Sequence, residues 1–86
     1  INPNYANGYS NRGNVKAFNL EDHSGAIADY NKAIEINPNH AYAFLNRGIV
    51  LELTGDIKSA CTDWKKAAEL GDVDAAKWAR DQCLNE

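Results

Sequence analysis

The feature that most constrains this chain is that it repeats itself. Asn2-Pro3-Asn4-Tyr5-Ala6, followed by Asn11-Arg12-Gly13 and Val15, returns 35 residues later as Asn37-Pro38-Asn39-His40-Ala41, Asn46-Arg47-Gly48 and Val50. The second halves match at an offset of 34: Ala26, Asp29, Lys32 and Ala33 against Ala60, Asp63, Lys66 and Ala67, with Tyr30 facing Trp64. The first copy therefore holds one extra residue, in a turn at 20–24. A partial third copy follows, in which Ala41 and Phe44 recur as Ala75 and Trp78. A period of this length specifies stacked supersecondary units, each burying its apolar face against the next.

Composition decides what those units are made of. Thirteen alanines stand against two phenylalanines and three valines, which favours helices packed closely through small side chains over strands. The helical spacing and its stops predict helices over 5–19, 24–36, 40–53, 57–70 and 73–84. Asn37-Pro38 ends the second, because a residue before proline avoids the α region. Gly55 and Gly71 end the third and fourth, glycine being the usual left-handed stop, while Asp56 caps the fourth and Asp72 or Asp74 the fifth. The reading is one all-α domain over 1–86: a first repeat at 6–40, a second at 41–74, and a capping helix at 75–84. Lys77, Arg80, Asp81 and Gln82 around Trp78 suit a terminal helix with one packed and one wet face.

Several function classes fall away. A chain of 86 residues hides only about 60 to 65% of its surface on folding, too little for a large enclosed active site. A net charge of -3, with no basic run longer than Lys65-Lys66, lacks the footprint of a nucleic-acid binder. No apolar stretch approaches the ~20 residues that cross a bilayer. The opening Ile1-Asn2-Pro3-Asn4 carries neither Met nor a signal-peptide pattern, and it reads as the tail of an earlier repeat in an excised or processed chain, with the compartment open. No phosphate loop, nucleophile elbow or metal-ligand pair is present, so neither enzyme activity nor a cofactor or metal is expected. His23 and His40 fall in turns and are read as solvated.

Two pairings follow from hairpin geometry, in which residues equidistant from a turn lie at equal height. Arg12 and Asp29 are centred on Leu20-Glu21, and Arg47 and Asp63 on Gly55, so each pair is expected to form an ion pair inside its hairpin. Cys61 and Cys83 are centred on Asp72 and are expected to lie within reach of each other. They form either a disulfide stapling the last helix or two reduced, buried thiols, and the reading favours the thiols.

The repeat resembles the tetratricopeptide repeat, a helix-turn-helix unit of about 34 residues. Tyr9, Gly13, Ala26, Tyr30, Ala33 and Pro38 carry the pattern in the first copy, and Phe44, Gly48, Ala60, Trp64 and Ala67 in the second. Arg12 and Arg47 stand where that family usually has Leu, and Asp72 where it has Pro. The stretch from Ala60 through Trp64 and Ala67-Ala68 to Gly71-Asp72 also resembles the related Sel1-type repeat. The resemblance implies an α–α superhelix of two hairpins and a cap, with Tyr9, Tyr30, Phe44, Trp64 and Trp78 in the core. It further implies a non-catalytic module that binds an extended peptide or partner protein on the concave side, lined by the first helix of each hairpin. By position those residues are Asn7, Ser10, Asn11, Asn14, Tyr42, Leu45, Asn46, Ile49, Ala76, Ala79 and Arg80. The competing reading is a structural spacer or terminal cap of a longer solenoid whose ligand sits upstream. Some family members grip a terminal carboxylate with two lysines, two asparagines and a further basic residue. Here Asn14, Asn46 and Arg80 match, but Ser10 and Ala76 replace the lysines, so the expected ligand is a neutral or mildly basic segment with apolar anchors. Tyr5, Tyr9 and Val15 leave helix one with an apolar strip, through which weak self-association is expected.

Overall fold

A computed structural model describes residues 3–83. Five helices run in chain order, α1 (Pro3–Phe18), α2 (His23–Ile36), α3 (Ala41–Leu53), α4 (Ile57–Glu69) and α5 (Val73–Gln82), and no strand occurs among the described residues. The expected upstream tail at Ile1-Asn2 and the end of the last helix at Leu84 lie outside the described residues.

Each helix packs on the one before it, giving a slab of 36 × 26 × 16 Å. The starts of α2, α4 and α5 are fixed by short acids. The carboxylates of Asp22, Asp56 and Asp72 accept hydrogen bonds from the backbone N–H of Gly25, Ser59 and Ala75, relieving donors that the first helical turn leaves unpaired. Asp72, which replaces a family proline, is thus the N-cap of α5. Gly55 and Gly71 take φ of 94° and 104°, where a Cβ would be strained. The longer first turn has no glycine and puts Glu21 at φ 55° instead.

Alanine sets the spacing. Ala6, Ala33 and Ala43 meet where α1, α2 and α3 converge; Ala17, Ala26, Tyr30 and Val50 form a second cluster; Leu45, Ala60, Cys61, Trp64, Ala67, Ala75 and Cys83 form the largest, under α5. Paired helices approach closely at Gly48, where an added Cβ would stand 2.5 Å from Trp64 Nε1, and at Gly13, where it would stand 2.8 Å from Tyr30 Cε1. Of the five aromatics assigned to the core, Tyr30 and Trp64 are fully buried. Tyr9, Phe44 and Trp78 are only partly so, because the first two lie under the guanidiniums of Arg12 and Arg47 and the third closes the edge of the slab. Trp64 and Trp78 meet edge to face at 5.5 Å.

One expectation is corrected here. Where the sequence favours two reduced thiols, Cys61 and Cys83 are joined in a disulfide between α4 and the end of α5. Both cysteines are buried in the largest apolar cluster, which holds their side chains together.

Candidate ligand-binding face

The two arginine pairs are built alike. Arg12 donates from Nε and Nη2 to the Asp29 carboxylate at 2.8 and 2.7 Å, and Arg47 does the same to Asp63 at the same distances. Each fork is bidentate, the strongest arrangement for this donor and acceptor. Asp29 also receives Lys16 Nζ at 3.2 Å. The hydrogen bond from Arg12 holds the Asp29 carboxyl below the usual carboxylate range, against the opposing effect of burial. Tyr30, buried beside the Asp29 charge, is pushed up to about 12, and its hydroxyl donates to Asn14 Oδ1.

The residues expected to line the concave side divide into two sets. Asn7, Asn11, Tyr42, Ala76 and Arg80 are exposed, and Asn14, Ile49 and Ala79 are half-buried. Ser10 and Leu45 are buried, at 1% and 6% exposure, and are not offered to a ligand. They occupy the same repeat position, 35 residues apart, and that position faces the neighbouring helices rather than the open side. Asn46 is also buried, at 7%, with Nδ2 unpaired among the described residues, whereas its counterpart Asn11 is exposed. Asn14 has part of its capacity taken by Tyr30. Arg80 is directed to its chain neighbour Asp81 at 3.1 Å. His40, read as a solvated turn residue, instead precedes α3 with Nε2 buried and unpaired among the described residues, and burial lowers its pKa.

Sequence reasoning missed a groove bordered by two of the helices. Between α3 and α5, Ile49, Glu52, Trp64, Trp78 and Gln82 line a groove of about 340 Å³. The signal was available in the spacing: Ile49 and Glu52 lie three apart, and Trp78 and Gln82 four apart, so each pair shares a helix face. A second groove of similar size lies on Ile27, Asn31, Arg47, Leu51, Ser59, Thr62 and Asp63 of α2, α3 and α4. Among the described residues no cluster of His, Cys, Asp or Glu has metal-site geometry, and no helix is long and apolar enough to cross a membrane.

Comparison with known proteins agrees with this architecture. Residues 18–55 match the model of the TPR repeat. Tetratricopeptide repeat protein 36 of Xenopus tropicalis is 40% identical over 62 residues, 72% of this chain and 31% of that protein. The small glutamine-rich tetratricopeptide repeat-containing protein 2 of Mycosarcoma maydis is 40% identical over 55 residues, 64% of this chain and 16% of the relative. Protein STIP1 homolog of Dictyostelium discoideum is 35% identical over 69 residues, 80% of this chain and 12% of the relative. The chain thus spans a third or less of the length of these three curated relatives. With five packed helices, a repeat readable at 34 to 35 residues and these matches, the chain belongs to the tetratricopeptide repeat family.

Proposed function

We propose that the chain is a non-catalytic protein-interaction module that holds an extended, neutral or mildly basic peptide against the side formed by α1, α3 and α5. In this reading two hairpins and a cap make a short α–α superhelix, and α3 and α5 are successive walls of its groove. One observation carries it: the groove between α3 and α5 has an apolar floor of Ile49, Trp64 and Trp78 and a polar rim of Glu52 and Gln82. Such a floor accepts an aliphatic anchor, while Glu52 disfavours an acidic one and Gln82 can both donate to and accept from a peptide backbone. Exposed Tyr42, Asn7 and Asn11 extend the surface towards α1. A carboxylate clamp is disfavoured, since Ser10 is buried and Arg80 is directed to Asp81.

Tryptophan emission tests this. A neutral peptide with leucine anchors should give a saturable shift that Ile49→Ser weakens, and a peptide ending in glutamates should give none. Binding of the acidic tail that disappears with Arg80→Ala, with no response to the apolar peptide, would overturn the reading.

A second reading has its own support. The disulfide between Cys61 and Cys83 pins α5 across α4, which suits a structural cap of a longer array, and the Sel1-type ending of the second repeat from Ala60 to Asp72 fits the same role. Absence of binding by either peptide would favour the cap.

A further inference from the structure

Each of the first two repeats covers the aromatic of its first helix with its own arginine. The Arg12 guanidinium lies 5.3 Å from the centre of the Tyr9 ring, and that of Arg47 lies 5.5 Å from the centre of the Phe44 ring. Each arginine also gives its fork to an aspartate, so the chain twice joins an aromatic face, a guanidinium and a carboxylate. The third copy breaks this pattern. Trp78 holds the place of Tyr9 and Phe44, but Asp81 stands where the arginine would be, and it is met by its neighbour Arg80. No guanidinium of the described residues lies over Trp78, which is half-buried.

An unpaired carboxylate lines the same groove. Glu52 borders it from α3, as Trp78 does from α5, and among the described residues no Lys, Arg or His stands within ion-pair distance of Glu52. Ile49 and Trp64 add apolar surface. The groove thus brings an aromatic face and a carboxylate together without the cation that joins them elsewhere in the chain. We infer, on the reading of this groove as a peptide site, that its peptide carries an arginine two residues from the aliphatic anchor, the guanidinium lying on Trp78 and donating to Glu52. Side chains two apart share one side of an extended backbone, so both reach the groove. The arginine stem adds apolar contact, and its planar head suits an indole face and a carboxylate better than a lysine ammonium does.

A second copy of the chain is a poor source of that arginine. Arg12 and Arg47 are committed to Asp29 and Asp63, and Arg12, Arg47 and Arg80 all sit on helices rather than on extended backbone.

Short blocked peptides without tryptophan, titrated against the intact chain by calorimetry, test this. One carries leucine and, two residues on, arginine; the others place lysine or glutamine there, or move the arginine one residue along with the charge unchanged. The arginine peptide should bind about tenfold more tightly than the glutamine peptide, with lysine in between, and the shifted arginine should lose the gain. Glu52→Gln in the chain should bring the arginine peptide down to the glutamine level, while the near-ultraviolet circular dichroism of Trp64 and Trp78 stays the same. Equal binding of the arginine and glutamine peptides, or a gain that survives the shift or Glu52→Gln, would overturn the inference and leave the groove as a site for apolar anchors. No binding by any of these peptides would overturn the groove reading and the inference together.

Discussion

The two helix pairs, α1–α2 and α3–α4, repeat the same bidentate contact in different surroundings. Asp29 and Asp63 are each 4% exposed, yet the Arg12 side chain is largely in water while Arg47 is enclosed by α2 and by Asn31. The aromatic partners diverge too. Tyr30 has a polar end that satisfies itself on Asn14, whereas Trp64 buries against Gly48 an Nε1 that is unpaired among the described residues, and gives its ring to Trp78. The lesson is that a repeated sequence encodes the contact inside a unit, and neighbouring units decide how much that contact is worth.

The largest test of that contrast is at the acids. Asp63→Ala leaves an enclosed guanidinium with only Asn31 and should cost about 3 kcal/mol. Asp29→Ala should cost less, because Arg12 is free to turn into water. Urea midpoints of the two variants compare them, and equal losses would show that coverage does not matter. Next comes the staple. Replacing Cys61 and Cys83 together by alanine should cost about 3 kcal/mol in the loop-entropy model, and hydrogen exchange should quicken in α5 before α1 and α2 are affected.

Gly48→Ala and Gly13→Ala probe the close approaches. The Trp64 indole is nearer and is held by Trp78, so Gly48→Ala should cost about 2 kcal/mol, more than Gly13→Ala. The smallest effects come from pH, and their sign is fixed by the shifts. His40 is lowered by burial, so the unfolded chain binds its proton first and stability falls as pH drops below about 6.5. Asp29 is lowered by Arg12, so its contribution is full above its ordinary value of 3.8 and is lost as pH falls towards the folded value. Tyr30 is raised, so stability is lost as pH climbs from 10 towards 12. Thermal midpoints taken across these ranges, with His40→Gln and Tyr30→Phe as controls, separate the three.

The all-helical architecture was readable from the repeat because an offset states which residues are equivalent, and alanine, aspartate caps and glycine stops state where helices begin and end. Coverage was not readable. Ser10 and Leu45 look like groove residues by position, yet they face inwards, and Asn46 is buried where Asn11 is exposed, because among the described residues α3 has neighbours on both sides and α1 does not. The groove over Trp64 and Trp78 was hidden for the same reason: its two walls belong to different repeats, and one of them, α5, is held in place by a disulfide that cysteine spacing alone left open.

Residue-resolved amide hydrogen exchange of the intact chain tests the contrast between α1 and α3 most directly, because both carry the same repeat residues and only one is covered. Amides in the middle of α3 should exchange only through global unfolding, and those around Gly8 and Arg12 in α1 through smaller openings of lower free energy. Protection of α1 equal to that of α3 would contradict the claim that neighbours, and not the repeat itself, set the stability of each helix.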